Sequence, residues 1–249
     1  MVRMAARGLV VNKHNPDISF QMFIESPIEK WRFDTLTTKE PETLAWIDSM
    51  QPGEILYDIG ANIGIYTLYA AARGIQVVAV EPVLENYVRL VENIELNHFR
   101  NVTPIYGACG YHHDGEMFTE LFIPDKTAGA TGAQLSDTKE VVVRENSRTV
   151  PIYNLDDFLG ALGLQADHIK VDVDGQEKRI LLSYNDLFYA KSVLVEINPD
   201  QWPLADAIRS MTARNFLPDS LFNHMSPHSS ERRQREGIKV VNMVFKKEV

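Results

Sequence analysis

At 249 residues and 45% hydrophobic content the chain can bury one large α/β core, and its 25 Lys and Arg against 34 Asp and Glu give a formal net charge of −9. A field of that sign repels polyanions and argues against a nucleic-acid partner, and no apolar run approaches the ~20 residues that span a bilayer. The single cysteine, Cys109, can form no internal disulfide and the first residues carry no long apolar leader, so the expected setting is the reducing cytoplasm.

Residues 1–50 read as an N-terminal extension with lid-like character: a loose strand pair, then a helix over Pro41–Met50 leading into the first core strand. Residues 51–249 read as one domain in which short β-branched runs alternate with amphipathic stretches, the pattern of parallel strands joined by crossover helices. Strands are expected at Ile55–Ile59, Val77–Glu81, Val102–Ala108, His168–Val173 and Ser192–Ile197. Helices are expected at Ile65–Arg73, Leu84–Asn97, Leu155–Leu162, Glu177–Phe188 and Leu204–Asn215; in the second, Tyr87, Leu90, Val91 and Ile94 make one apolar face. The stretch Gly115–Val150 breaks the alternation. Met117–Ile123 and Glu140–Arg144 read there as short strands around the Gly/Ala/Thr-rich segment Thr127–Gly132, a flexible loop by composition. Arg232, Arg233 and Arg235 are interrupted by Glu231 and Glu236 and read as a solvated loop, after which Lys239–Phe245 predicts a closing strand.

The most informative segment is ILYDIGANIGIYTLYAA, Ile55–Ala71, where an apolar strand ends in an acid and a small-residue turn opens a helix. Gly60 and Gly64 permit positive φ and close approach, Asn62 tolerates the left-handed region, and the helix start offers free N–H donors. Glu81 ends the next strand at the separation where a carboxylate meets a ribose diol bound over such a turn. Those features suit an adenosyl cofactor or a nicotinamide dinucleotide. The dinucleotide fingerprint needs G-x-G-x-x-G, whereas these glycines stand as G-A-N-I-G, and Asp58 would set a carboxylate beside pyrophosphate. For a ligand with an amino group and a sulfonium the same acid is a partner.

Asp172, Asp174 and Glu177 cluster where the fourth strand gives way to a helix, and the fifth strand brings Glu196 and Asn198 to the same edge. Ligands of open α/β sheets bind outside the carboxyl ends of the strands, so Asp172 and, second to it, Glu196 are the candidates to orient or deprotonate an acceptor hydroxyl. The alternatives are that the same acids hold a divalent cation, or that Asp174 and Gly175 form a turn and Glu177 caps the next helix. No metal ligand set is assigned. His168 lies at the opposite end of its strand. His112 and His113, beside the turn pair Asp114–Gly115, read as a solvated hairpin, and His224 and His228 have no spacing that favours catalysis.

The segments TTKEPETLAWID, DIGANIGIYTLYAA, VVAVEPVLENYVRLVENIELN, HIKVDVDGQEKRIL and VLVEIN, spread in order over roughly residues 30–200, resemble the FkbM family of methyltransferases. The resemblance implies a Rossmann-like class I methyltransferase fold, α/β with a mostly parallel sheet and an antiparallel final strand. It also implies S-adenosylmethionine as cofactor and a hydroxyl on a sugar or natural product, a small molecule or glycan, as acceptor. Residue by residue, it implies that Asp58, Gly60, Asn62 and Gly64 wrap the methionine portion and that Thr67 follows on the next helix turn. Glu81 then holds the ribose, with Pro82 and Asn86 beside it, and the adenine rests near Gly107 and Ala108. Lys39 and Glu40 belong to a segment that would fold back over the cofactor. The alternatives are an NAD-dependent oxidoreductase on the same architecture and a non-catalytic scaffold that keeps the cofactor fold.

Overall fold

The computed structural model describes residues 6–11, 18–110, 117–135, 145–156, 162–223 and 240–248. A seven-stranded sheet forms the centre. Its parallel members are β3 (Ile55–Ile59), β4 (Gln76–Glu81), β5 (Val102–Tyr106), β10 (His168–Val171) and β11 (Ser192–Ile197). The hairpin of β12 (Phe216–Pro218) and β13 (Val241–Lys247) closes one edge, β13 running antiparallel to β11. Across the sheet the order is β12-β13-β11-β10-β3-β4-β5, so the chain leaves β3 in one direction and returns to β10 in the other. That reversal opens a crevice outside the strand ends, the place where such sheets bind ligands.

Strand residues alternate between two cores because successive side chains point to opposite faces. Leu56, Val77 and Ala79 pack on one face with Leu68 of α3 (Ile65–Ala72) and Leu90 of α4 (Leu84–Leu96). Tyr57, Ile59, Val78, Ile169 and Val171 pack on the other with Leu181 of α5 (Glu177–Ser183) and Met211 of α6 (Leu204–Thr212). Beyond α5 the chain makes one 3-10 turn at Asp186–Tyr189, so the helix expected over Glu177–Phe188 ends early. The short helix α7 (Ser220–Asn223) packs Phe222 into the first core.

The N-terminal segment is built into that same core. The antiparallel hairpin of β1 (Ala6–Val11) and β2 (Ser19–Ile24) brings Phe20 and Met22 against it, and Leu36 of α1 (Pro27–Lys39) and Trp46 of α2 (Pro41–Asp48) join them. Helix α1 was not expected from the apolar pattern, yet its start is written locally. Ser26 Oγ accepts from the Glu29 amide, the Glu29 side chain returns to the Ser26 amide, and Pro27 fills the first turn, a complete capping box.

A second, four-stranded sheet sits beside the end of β4, with β6 (Ala108–Cys109), β9 (Ser147–Tyr153), β7 (Phe118–Phe122) and β8 (Gln134–Leu135) in that order. It packs Leu121, Ile123, Val150 and Ile152 onto Val83 and Ala108. Strand β9 was not foreseen, and the strand expected over Val102–Ala108 is broken at Gly107, with Ala108 passing to this second sheet. The expectations for His112, His113, Asp114–Gly115, Glu140–Arg144, His224, His228 and the Arg232–Arg235 run, and for most of the helix at Leu155–Leu162, lie outside the described residues.

Candidate active site

A cavity of about 300 Å³ lies outside the carboxyl ends of β3, β4, β10 and β11, at the strand-order reversal. The turn after β3 forms its floor. Gly60 has φ 85°, and a Cβ there would sit 1.9 Å from the Asp172 carbonyl oxygen, so only glycine lets the turn lie against the end of β10. Asn62 follows in the left-handed region at φ 54°.

Glu81 reaches the wall from the end of β4. Its two oxygens accept from the amides of Asn62 and Val83, both at 2.8 Å, and Asn86 Nδ2 lies 3.4 Å away. Burial pushes this carboxyl up to about 7 against those hydrogen bonds. Next to it the wall turns apolar, with Val83, Ala108, Leu121 and Leu135 around Pro82 and Gly107. A desolvated acid with spare acceptor sites beside an apolar slot offers the acceptors a ribose diol requires and a surface for a flat base, so these residues fit an adenosyl cofactor.

The opposite half is charged. Lys170, Asp172, Asp174 and Glu196 come from β10, its following turn and β11, while Arg32, Thr35 and Lys39 come from one face of α1. Lys170 Nζ lies 3.3 Å from Asp172 Oδ2 and 3.4 Å from Asp58 Oδ1. Burial, reinforced by the Asp172 and Glu40 charges, raises the Glu196 carboxyl and favours its protonated form, which can donate a hydrogen bond. Asp174 sits at φ 58° and accepts from the Gly132 amide at 2.8 Å. The Glu177 carboxylate turns back to the Val173 and Gly175 amides and serves the start of α5. Among the described residues no group of three or more His, Cys, Asp or Glu is arranged to hold a metal ion.

The segment Thr127–Gly132 roofs the cavity. The Gly129 amide donates to Asn86 Oδ1 at 2.8 Å, the Ala130 carbonyl accepts from Asn62 Nδ2 at 2.8 Å and Asn86 Nδ2 at 3.3 Å, and Arg32 Nε donates to the Gly129 carbonyl at 2.5 Å. With the Gly132–Asp174 bond these ties bind the strap to four parts of the molecule. Its composition suggested a flexible loop; the partners that hold it are distant in sequence.

Of the expected cofactor residues, Gly60, Asn62, Glu81, Pro82, Asn86 and Ala108 line the cavity, as do both candidate catalytic acids, Asp172 and Glu196. Four do not reach its wall. Thr67 Oγ1 donates to Asp58 Oδ2 at 2.6 Å, and both side chains are buried behind the turn. Gly64 has φ 92°, a conformation that favours glycine, and a Cβ there would face Leu90 Cδ1 at 2.5 Å on the side of α4. Glu40 is buried at the start of α2, bonded to Lys39 and accepting from Tyr66 Oη at 2.8 Å. Burial alone would raise its pKa, but Lys39 and Lys170 hold it down to about 2. Sequence reasoning missed Arg32, Thr35, Tyr66 and Lys170 on the wall; the capping box at Ser26–Glu29 was the signal for the first two, since it starts the helix that presents them.

His168 lies at the far end of β10. Its Nδ1 is 2.8 Å from Ser192 Oγ and its Nε2 is 2.9 Å from Glu54 Oε2, and Trp46 Nε1 donates to the same serine at 2.8 Å. These bonds join α2 to the sheet, remote from the cavity.

Residues 58–218 match the family model described as methyltransferase FkbM domain. The chain is similar to the 31-O-demethyl-FK506 methyltransferase FkbM of Streptomyces tacrolimicus, 25% identical over 226 residues that cover 76% of this chain and 84% of that protein. A shorter similarity, 32% over 91 residues, covers 36% of this chain and 12% of a tRNA (guanine(37)-N(1))-methyltransferase of Leishmania major. Among solved structures, the magnesium protoporphyrin IX methyltransferase of Synechocystis PCC 6803 with bound SAM superposes with a TM-score of 0.49 at 11% identity, covering 90% of this chain and 86% of that one.

Proposed function

The chain belongs to the FkbM methyltransferase family, and from that premise we propose that it transfers a methyl group from S-adenosylmethionine to a hydroxyl of a sugar or natural-product acceptor. The observation that carries this reading is the division of one cavity into an adenosine-compatible half around Glu81 and a charged half where Asp172 and Glu196 end adjacent parallel strands. When bound, the cofactor supplies an activated methyl group on a sulfonium. The protein's residues supply proximity, orientation and a place for the hydroxyl proton.

Asp172 is the assigned base. Its side chain is partly exposed to the cavity, and the Lys170 ammonium holds it in place. Glu196, held toward its protonated form by burial and the neighbouring acids, orients the acceptor oxygen by donating to it. Helix α1 supplies the lid-like wall of the extension 1–50, and the strap keeps water out. The net charge of −9 favours a small-molecule or glycan acceptor over RNA, and the buried lone cysteine suits a cytoplasmic setting. No helix of the described residues is long and apolar enough to cross a membrane.

The test is a mass-spectrometric screen of hydroxylated sugars, polyols and macrolide alcohols with S-adenosylmethionine, run on wild type and Asp172→Asn. The expected result is one added methyl on an acceptor oxygen, slowed by about 10²–10⁴ in the variant with S-adenosylhomocysteine affinity nearly intact. Methylation of nitrogen or of RNA alone, or an Asp172→Asn rate equal to wild type, contradicts the assignment.

A further inference from the structure

We propose that Lys170 sets how strongly the pocket prefers the charged cofactor S-adenosylmethionine over its neutral product S-adenosylhomocysteine. The proposal rests on the methyl-transfer reading above and adds to it a specificity-determining charge.

Lys170 occupies a place in β10 that the sheet would otherwise fill with an apolar side chain. Ile169 and Val171 point into one core; Lys170 points the other way, in register with Asp58 on one neighbouring strand and Leu194 on the other. It is 2% exposed. Burying an ammonium is costly unless it is paired, and this one is surrounded by Asp172, Asp58 and Glu40, with the Tyr66 ring 5.4 Å away. A lysine needed only to neutralise Asp58 would remain behind the wall with it. Lys170 reaches the cavity surface instead, between the acid beneath the cofactor turn and the acid assigned to the acceptor.

In the reaction the S–CH3 bond breaks and its electron pair stays on sulfur, while an O–CH3 bond forms and the hydroxyl proton passes to Asp172. The sulfonium thus becomes a neutral thioether. Glu81, Asp172 and Asp174 on the wall attract the charged form. Three cations on the wall oppose them: Lys39 beside Glu40, Arg32 bonded to the strap, and Lys170 between Asp58 and Asp172. Lys170 is the most deeply buried of the three, so its field is the least screened by solvent. By opposing a sulfonium it raises the bound ground state more than the transition state, where that charge is already spread, and it penalises the charged cofactor while leaving binding of the neutral product nearly unchanged.

The experiment is calorimetric titration of the full chain with S-adenosylmethionine and with S-adenosylhomocysteine, for wild type, Lys170→Gln and Lys170→Arg. Gln keeps a polar side chain with hydrogen-bond donors while removing the charge; Arg keeps the charge. The ratio of the two affinities is expected to shift toward S-adenosylmethionine by about tenfold in Lys170→Gln and by less than about twofold in Lys170→Arg. General loosening lowers both affinities and leaves their ratio alone, so an unchanged ratio in a folded Lys170→Gln overturns the proposal. Should that variant fail to fold, Lys170→Gln/Asp58→Asn removes the buried acid together with its cation. Relative to Asp58→Asn alone, the ratio in the double variant must still shift toward S-adenosylmethionine, because the two differ only in the Lys170 charge. Wild type that binds neither compound overturns the methyl-transfer reading itself, and the proposal with it.

Discussion

Glu81 is pushed up to about 7 because burial opposes its charge more strongly than the Val83 and Asn62 amides, Asn86 and the Arg32 charge support it. A carboxylate that accepts from two hydroxyls is a better partner than a carboxylic acid, so S-adenosylhomocysteine affinity is expected to weaken as pH falls below about 7. Glu81→Gln should be weaker throughout and flat with pH. A wild-type titration that is equally flat between about pH 6 and 8 contradicts the role given to Glu81. Gly60 presents a different kind of constraint. A side chain there meets the Asp172 backbone, not the cavity, so Gly60→Ala should cost about 2–4 kcal/mol of stability in denaturant titration, moving the end of β10 as well as the turn. A variant as stable as wild type would show that the two strand ends do not abut.

At the scale of elements, the strap Thr127–Gly132 is the part whose behaviour is hardest to infer from composition and easiest to test. Its Gly129 and Gly132 amides are bonded to Asn86 and Asp174. Asp174→Ala should release one end, raising hydrogen exchange at Gly132 and speeding S-adenosylhomocysteine release by about fivefold or more, with α4 unchanged. Equal exchange and equal release in the variant would show that the tie does not govern the roof. Much of the sheet was legible because its strands are apolar runs of the right length, and Asp58–Gly64 and Glu81 are local patterns that a strand–turn–helix unit imposes. Gly64 and Thr67 were assigned to the ligand because a motif gives positions and not directions. Gly64 faces Leu90 and Thr67 faces Asp58, partners that only the packed helices reveal. Helix α1 escaped the periodicity test because only Glu29 and Leu36 are buried on it, so no apolar stripe marks it. The Arg32–Gly129 and Asn62–Ala130 bonds join residues far apart in the chain, and no local pattern encodes them.

At the scale of the whole molecule, one acid-sensitive joint lies at the end of the sheet away from the cavity. Burial lowers the His168 pKa below 6.5, although Glu54 opposes the shift. The unfolded chain therefore takes up that proton first, and stability present above pH 6.5 declines as pH falls beneath it. Burial would raise Glu54, but hydrogen bonds from Lys191, the Gln51 amide and His168 hold it down to about 2, so its contribution is present above 4.5 and is lost as pH falls toward 2. Thermal unfolding scans should show a midpoint that starts to drop below about pH 6.5 and drops further below about 4.5, with the first fall reduced in His168→Gln. A midpoint that is constant down to about pH 5 contradicts the first part. The cavity, at the other end of the same strands, holds the central claim that one site binds an adenosyl cofactor through Glu81. Titrating wild type and Glu81→Ala with S-adenosylhomocysteine, NAD and NADP in one calorimetric series tests it most directly. One site for S-adenosylhomocysteine is expected, weakened by about 10- to 100-fold in Glu81→Ala, with no binding of either dinucleotide. Preferential binding of NAD or NADP, or S-adenosylhomocysteine affinity indifferent to the loss of Glu81, would contradict it.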